Sequence, residues 1–298
     1  MTEPDGRGDP ADRHPYLLGL LGAGVGRSLT PSMHMEEARH HGLSYVYRTI
    51  DTGQDPLDDE RLSAFLRSAV QLGFDGLNVT FPYKQQVLPL LDDLSPTARR
   101  LGAVNTVLVR SGRLEGHNTD VTGFSRAVEN HLAGASLRSV VQVGAGGAGA
   151  AVADALLGRG VARLTVVDRD EQRAHTLAST LGERYADRDV RAVGTATVGA
   201  ALDDANGMVN CTPTGMDHHR GTPVDPDQLH PSLWVADIVY RPLETDLLRA
   251  ARERGCRVLH GGYMAVYQAA RTFELVTGLT AHPERMLRHL QRLVGAAA

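Results

Sequence analysis

A short apolar run that breaks into closely spaced glycines constrains this chain more than any other feature. Ser139-Val140-Val141-Gln142-Val143 reads as a buried strand, followed by Gly144-Ala145-Gly146-Gly147-Ala148-Gly149 and an alanine-rich helix through Leu157. Glycines at 144, 146 and 149 suit a turn that cradles a dinucleotide. The first makes the tight turn, the second lets a pyrophosphate approach the backbone at the helix N-terminus, and the third lets helix pack on strand. Alone such a motif is weak, but here a second strand over 164–167 follows and ends at Asp168. A carboxylate there accepts the adenosine ribose hydroxyls of NAD and repels the 2′-phosphate of NADP, an effect that adjacent Arg169 partly offsets. NAD is therefore the expected cofactor.

A second constraint is a single amine. The chain has 31 lysines plus arginines, and Lys84 is its one lysine. Arginine-rich composition with one survivor accounts for that count equally well. The neighbourhood, Asn78-Val79-Thr80-Phe81-Pro82-Tyr83-Lys84, favours chemistry. A guanidinium stays protonated, whereas an ammonium can give up its proton. Pro82 suits the first turn of a helix, expected over 83–92, so Lys84 would sit at the positive end of the helix dipole, which disfavours its charged form. The Thr80 hydroxyl could cap that helix or bind a ligand.

The rest of the chain alternates strand and helix. Strands are expected over 16–22, 44–50, 74–80 and 103–109, the last pairing through Ser111-Gly112 with a segment reaching Asp120. Helices are expected over 57–72, 120–132, 263–276 and 283–294, with further strands before Asn210 and over 234–239. This order predicts an α/β fold with largely parallel sheets and ligands at the strand carboxyl ends. Cys211, Thr212, Pro213 and Met216, together with Val239, fall on that side, and Gly261-Gly262 precede the helix over 263–276. Ser28 and Thr30 alternate around Leu29 and would share a side if extended, although turn and cap roles explain them in isolation. His34 reads as a satisfied first-turn histidine and Asp120 as a helix N-terminal carboxylate, with Asn118 or Thr119 as cap. Asp217-His218-His219 has no partner at ligand spacing, so no metal site is expected.

A net charge of −4, a pI near 6.3 and 5% aromatics argue against a nucleic-acid partner. No stretch approaches a membrane span, and residues 1–14 are polar, read as a disordered tail and not a secretory signal. Cys211 and Cys256 stand far apart, which suits a reduced, cytoplasmic setting.

From about residue 17 to 278 the chain resembles the shikimate dehydrogenase family. The matching pieces are Ser28-Leu29-Thr30-Pro31, the Asn78 to Lys84 stretch, Ala103-Val104-Asn105-Thr106, Asn118-Thr119-Asp120, the glycine turn, Asn210-Cys211-Thr212-Pro213-Thr214-Gly215-Met216 and Gln268. The resemblance implies an N-terminal α/β substrate domain (15–122, with helices of 263–298 packing back on it) and a Rossmann-type doubly wound NAD(P)-binding domain over 123–262. It implies that Ser28, Thr30, Thr80, Lys84, Asn105, Thr119, Asp120 and Gln268 hold the substrate, with Lys84 and Asp120 as the proton-transfer pair. It likewise implies that residues 144–149, Asp168, Arg169, Cys211, Thr212, Pro213, Met216, Val239 and Gly261 hold the cofactor. Four departures stand out: Val121 where glycine is common, Thr30 as in the quinate/shikimate branch, Asp168-Arg169 unlike the Asn-Arg-Thr of NADP enzymes, and Tyr263, expected to alter the substrate rim. The implied activity is NAD-dependent oxidation of a ring hydroxyl of shikimate or quinate, or reduction of the 3-dehydro forms, by a monomer or homodimer. An NADP-dependent biosynthetic enzyme, one acting on an amino analogue, and a non-catalytic sensor on the same fold are the alternatives.

Overall fold

Two six-stranded sheets face each other across a cleft in the computed structural model, which describes residues 14–217 and 219–295. The tail expected over 1–14 lies outside the described residues except His14, whose Nε2 is 2.6 Å from Asp75 Oδ1. The first sheet comprises β1 (Tyr16–Gly22), β2 (Tyr45–Asp51), β3 (Gly76–Val79), β4 (Asp93–Leu94), β5 (Thr106–Arg110) and β6 (Arg113–His117), in the order β2-β1-β3-β5-β6-β4. Helices α1 (Thr30–His40), α2 (Asp59–Gln71), α3 (Tyr83–Gln86), α4 (Pro96–Leu101) and α5 (Asp120–His131) belong to the same stretch of chain. The second sheet comprises β7 (Ser139–Val143), β8 (Arg163–Val167), β9 (Asp189–Val193), β10 (Gly207–Asn210), β11 (Trp234–Asp237) and β12 (Arg257–Leu259), in the order β12-β11-β10-β7-β8-β9. Its helices are α6 (Gly147–Gly158), α7 (Glu171–Arg184), α8 (Val198–Asp203) and α9 (Asp246–Glu253), and α10 (Gly261–Thr277) and α11 (Pro283–Gly295) close the chain.

The second sheet is parallel throughout, and the strand order reverses between β7 and β10. Such a reversal opens a crevice at the strand carboxyl ends, where a doubly wound sheet binds its ligand. Covered on both faces, β7 is buried at all five positions, which is why it reads as a continuous apolar run. The first sheet is mixed: β1 pairs parallel with β2 and β3, and β4 with β6, whereas β5 runs antiparallel to both β3 and β6. The expected Ser111-Gly112 turn, with φ of 51° and 78°, joins β5 to β6, and a two-residue turn can only join antiparallel strands.

Three local expectations need correction. The helix over 83–92 is a single turn, Tyr83–Gln86, followed by a 3₁₀ turn at Leu88–Leu90, since Pro89 cannot donate an i→i−4 bond. Pro82 follows a cis peptide bond and occupies the N-cap, not the first turn, and no side chain caps the helix. A single turn carries little macrodipole, so the field argument for Lys84 loses its basis. The strand expected from 103 starts at Thr106, and the segment before it is held otherwise, with Val104 N donating to Lys84 O and Asn105 N to His117 O.

α5 leads from the first sheet to the second and α10 returns, and they cross closely at Gly123. A Cβ there would stand 2.9 Å from Gln268 N and Met264 O, so only glycine allows the approach. Met33 and Ala38 of α1 then pack with Val266, Ala269, Ala270 and Phe273 of α10 and with Met286 and Leu290 of α11. Burying side chains of this size contributes roughly 1.5–3 kcal/mol each for the larger ones. A second tie between the sheets is polar: Arg100 of α4 makes a two-pronged contact with Asp154 of α6, which Arg184 and the Tyr185 hydroxyl also bind. Asp154 is only 1% exposed, and a carboxylate so buried persists only with such partners.

Candidate active site

A cavity of about 620 Å³ opens between the carboxyl ends of the two sheets. From the first sheet's side come Ser28, Thr30, Thr80, Lys84, Asn105 and Asp120, with Gln268 reaching in from α10. From the second come Ala148, Cys211, Thr212, Pro213, Met216, Val239 and Gly261. Thr119 lies behind this wall, 1% exposed, where its Oγ1 accepts a hydrogen bond from Asn105 Nδ2 at 2.9 Å.

Lys84 Nζ donates to Asp120 Oδ2 at 2.6 Å, and Asn105 Nδ2 donates to Asp120 Oδ1 at 2.8 Å. The Lys84 and Asp120 side chains are 18% and 11% exposed, sheltered from bulk water yet open to the cavity. Capping does not require Asp120, because Asn118 Oδ1 accepts from the backbone N–H groups of Asp120 and Val121 at 3.1 and 3.3 Å. The Asp120 carboxylate is thereby left to the amine. Ser28 is not in an extended segment; its Oγ accepts from Thr30 N at 3.3 Å where α1 begins. Asp51 shapes the preceding loop, and the N–H groups of Gly53, Gly24 and Gly26 hold its carboxyl below the usual carboxylate range.

On the other side, Gly144 has φ +107° and its added Cβ would lie 2.7 Å from the Cys211 carbonyl carbon. A Cβ at Gly149 would lie 2.2 Å from Gly144 O, whereas at Gly146, the N-cap of the 12-residue α6, it would meet nothing within 4 Å. Close packing behind and open space in front fit a dinucleotide pyrophosphate. Gly147 faces the lysine, with its added Cβ 4.0 Å from Lys84 Cδ. Asp168 is 8% exposed and turned inward: Oδ2 accepts from Ala145 N at 2.7 Å and Oδ1 from Asp170 N at 2.9 Å. Arg169 is exposed and forms no ion pair among the described residues.

The Cys211 loop is built around Asn210, whose Oδ1 accepts from Thr212 N and the Thr212 hydroxyl and whose Nδ2 donates to Thr214 O. Asp237, 2% exposed, receives bonds from Asn210 Nδ2, Val239 N and the Thr245 hydroxyl; burial nonetheless pushes its carboxyl up to about 6. Burial also pushes the Cys211 thiol well up, which leaves it inert as a nucleophile.

Sequence reasoning missed Tyr240 and Asn78, both at the cavity wall. Burial raises the Tyr240 phenol, an effect that the Ser28 side chain and the Leu29 backbone oppose, and the ring packs against the apolar cluster of α1, α10 and α11. Its position just past β11, next to Val239, was the available signal. Tyr263 does not reach the substrate rim. Its ring stacks on His131 and His260, with centroids 3.5 and 4.1 Å apart, and is not part of the cavity lining, although Gly261, Met264 and Ala265 beside it in α10 are. Asp217 stands at the cavity wall and its Oδ2 is 3.7 Å from Arg241 Nε, while His218 lies outside the described residues. His34 is fully buried in α1, with Nδ1 3.0 Å from the Tyr45 hydroxyl and Nε2 without a partner, so it is only half satisfied.

Two family models match the chain: a shikimate dehydrogenase substrate binding domain over residues 20–107 and a shikimate / quinate 5-dehydrogenase over residues 126–209. A relative named shikimate dehydrogenase (NADP(+)) from Pseudarthrobacter chlorophenolicus is 52% identical, over 94% of this chain and 96% of its own. One named quinate/shikimate dehydrogenase (NAD(+)) from Corynebacterium efficiens is 48% identical, over 91% and 95%. Among solved structures, quinate dehydrogenase from Corynebacterium glutamicum in complex with NAD matches with a TM-score of 0.88 at 46% identity, over 93% of this chain and 99% of that one.

Proposed function

Because the chain belongs to the shikimate and quinate dehydrogenase family, oxidoreductases acting on CH–OH groups, we propose that it is an NAD-dependent quinate/shikimate dehydrogenase. The observation that carries this reading is the Lys84–Asp120 pair at 2.6 Å, set in the cavity wall beside the glycine turn. Bound nicotinamide supplies hydride acceptance, or donation in reverse. The turn over 144–149 would hold the pyrophosphate and Asp168 with Arg169 the adenosine ribose. Cys211, Thr212, Pro213, Met216, Val239 and Gly261 would hold the nicotinamide end.

The remaining chemistry belongs to side chains of this protein. Oxidising a hydroxyl releases a proton as well as a hydride, and a base must stand at that oxygen. In this direction Lys84 Nζ takes the proton, and Asp120 orients the amine and stabilises the ammonium. In the reductive direction the same amine returns it. Asn105 holds the far oxygen of Asp120 at 2.8 Å, fixing the carboxylate against rotation. Ser28, Thr30, Thr80 and Gln268 bind the carboxylate and remaining hydroxyls of the substrate, and Asn105, whose two Nδ2 hydrogens are taken by Thr119 and Asp120, serves the substrate through Asp120.

Support for NAD comes from the negative charge of Asp168, the residue after β8, which disfavours a 2′-phosphate even though its oxygens accept from Ala145 N and Asp170 N. A second reading, NADP-dependent shikimate dehydrogenase, draws on exposed Arg169, whose guanidinium is available to a phosphate, and on the NADP-named relative at 52% identity. A non-catalytic sensor would have no use for the amine and carboxylate pair. Initial rates for shikimate and quinate against NAD and NADP separate these readings. The expected result is turnover of at least one substrate with a clear NAD preference. An NADP preference transfers the assignment to the second reading, and no hydride transfer in any combination overturns both.

A further inference from the structure

Resting on the reading of the cavity as a substrate site, we propose that Thr272 is a positioning residue, whose buried hydroxyl determines which end of the Gln268 amide faces the substrate. Three threonine hydroxyls from three elements meet behind the cavity wall. Thr272 Oγ1 of α10 is 3.0 Å from Thr106 Oγ1 of β5 and 3.2 Å from Thr119 Oγ1 at the start of α5. Thr106, Thr119 and Thr272 are 0%, 1% and 1% exposed, so water cannot stand in for any of them.

Counting protons shows what Thr272 decides. Asn78 Nδ2 donates to Asn105 O at 3.1 Å and to Thr106 Oγ1 at 3.0 Å, with Thr272 Oγ1 at 3.4 Å. The Thr106 hydroxyl donates to Asn105 Oδ1 at 3.1 Å. Asn105 Nδ2 directs its two hydrogens at Thr119 Oγ1 and Asp120 Oδ1. The Thr272 proton therefore goes to Thr106 or to Thr119. When it goes to Thr119, whose oxygen then accepts from both Thr272 and Asn105 Nδ2, the Thr119 proton faces two acceptors, Asn105 Oδ1 at 3.3 Å and Gln268 Oε1 at 3.5 Å. Asn105 Oδ1 already receives Thr119 N and the Thr106 hydroxyl, which turns the proton onto Gln268. Gln268 Nε2 donates one hydrogen to Ala265 O at 3.1 Å, and its other is left for an oxygen of the substrate. Thr272 stands one helical turn below Gln268 on the same face of α10, so this link also ties that helix to Thr119 at the start of α5.

Steady-state kinetics of Thr272→Val and Thr272→Ser test the assignment, with melting temperatures recorded alongside. Valine keeps the shape and deletes the hydroxyl, stranding buried partners, so KM for the substrate rises about tenfold with a smaller fall in kcat. Serine restores the wild-type values to within about twofold, because it returns the hydroxyl. In a Gln268→Ala background the valine effect shrinks to less than about twofold, because the residue it acts through is gone. Thr272→Ala repeats the test if valine disturbs packing. Valine and alanine variants with unchanged KM, a serine variant as impaired as valine, or full additivity with Gln268→Ala would each overturn the proposal. A wild-type protein active on neither substrate overturns the functional reading and this one with it, whereas an active wild type with an indifferent valine variant overturns this one alone.

Discussion

Gly147 lies against Lys84: a Cβ on the glycine would stand 4.0 Å from the lysine Cδ. The glycine turn and the amine paired with Asp120 thus meet where the two sides of the cavity come together. Proton and hydride can leave neighbouring atoms of one substrate only if their acceptors converge in this way.

Replacing Lys84 with arginine separates charge from proton exchange. A guanidinium can still pair with Asp120 but does not give up a proton at working pH. Turnover in Lys84→Arg is expected to fall by about a hundredfold or more, with the substrate dissociation constant changed by less than about tenfold. Calorimetric titration beside steady-state rates checks this, and a variant that keeps its kcat would remove Lys84 from the proton path.

The helix crossing at Gly123 has no slack. An added methyl would be 2.9 Å from Gln268 N and Met264 O, backbone atoms that no rotamer change can move aside. Gly123→Ala is expected to lower stability by about 1–3 kcal/mol and to raise the substrate KM, since it pushes Gln268 away from Asp120. Chemical denaturation and kinetics report the two effects separately. An alanine variant with wild-type values for both would show that the crossing adapts.

Asp168→Asn removes the charge proposed to exclude a 2′-phosphate and keeps an oxygen for Ala145 N, but it sets its amide nitrogen against Asp170 N, so melting temperatures are recorded alongside. The ratio of kcat/KM for NAD to that for NADP is expected to fall by about tenfold, and KM for the cyclic substrate to stay within about twofold. An unchanged cofactor ratio would assign selectivity to something other than this carboxylate.

How far the chain could be read without coordinates depended on how local the controlling interactions are. β7 was delimited correctly because its burial on both faces writes itself into the sequence, and the glycine turn because each glycine answers a backbone approach nearby. Ser28, Thr30, Thr80, Lys84, Asn105, Asp120 and Gln268 all reach the cavity wall, as expected from motifs at loop and strand ends. What escaped was set by distant partners. Tyr263 was read by its place in a motif, whereas His131, 132 residues earlier, and His260 decide where its ring packs. The inward turn of Asp168 depends on the N–H of Ala145 in the glycine turn, and the place of Tyr240 on its packing against α1 and α10. α3 stopped after one turn because Pro89 overrode a helical pattern that otherwise continued.

Acid sensitivity of the fold should carry a signature of His34. Burial pushes this imidazole down to about 3 from an ordinary 6.5, only partly opposed by the nearby Glu37 carboxylate. The folded protein therefore holds His34 neutral while the unfolded chain protonates it near 6.5, so its contribution is fully present above that pH and is lost as the pH falls towards 3. The loss across that window is on the order of a few kcal/mol. Asp237 acts in the opposite sense: its carboxyl, raised to about 6 by burial, contributes fully below 3.8, and that contribution is lost as the pH rises through 6. His34→Asn removes the buried base while leaving a partner for the Tyr45 hydroxyl, so its urea midpoint should change less between pH 7.5 and pH 4.5 than that of the wild type. Parallel midpoint shifts in the two proteins would mean that another group governs acid unfolding.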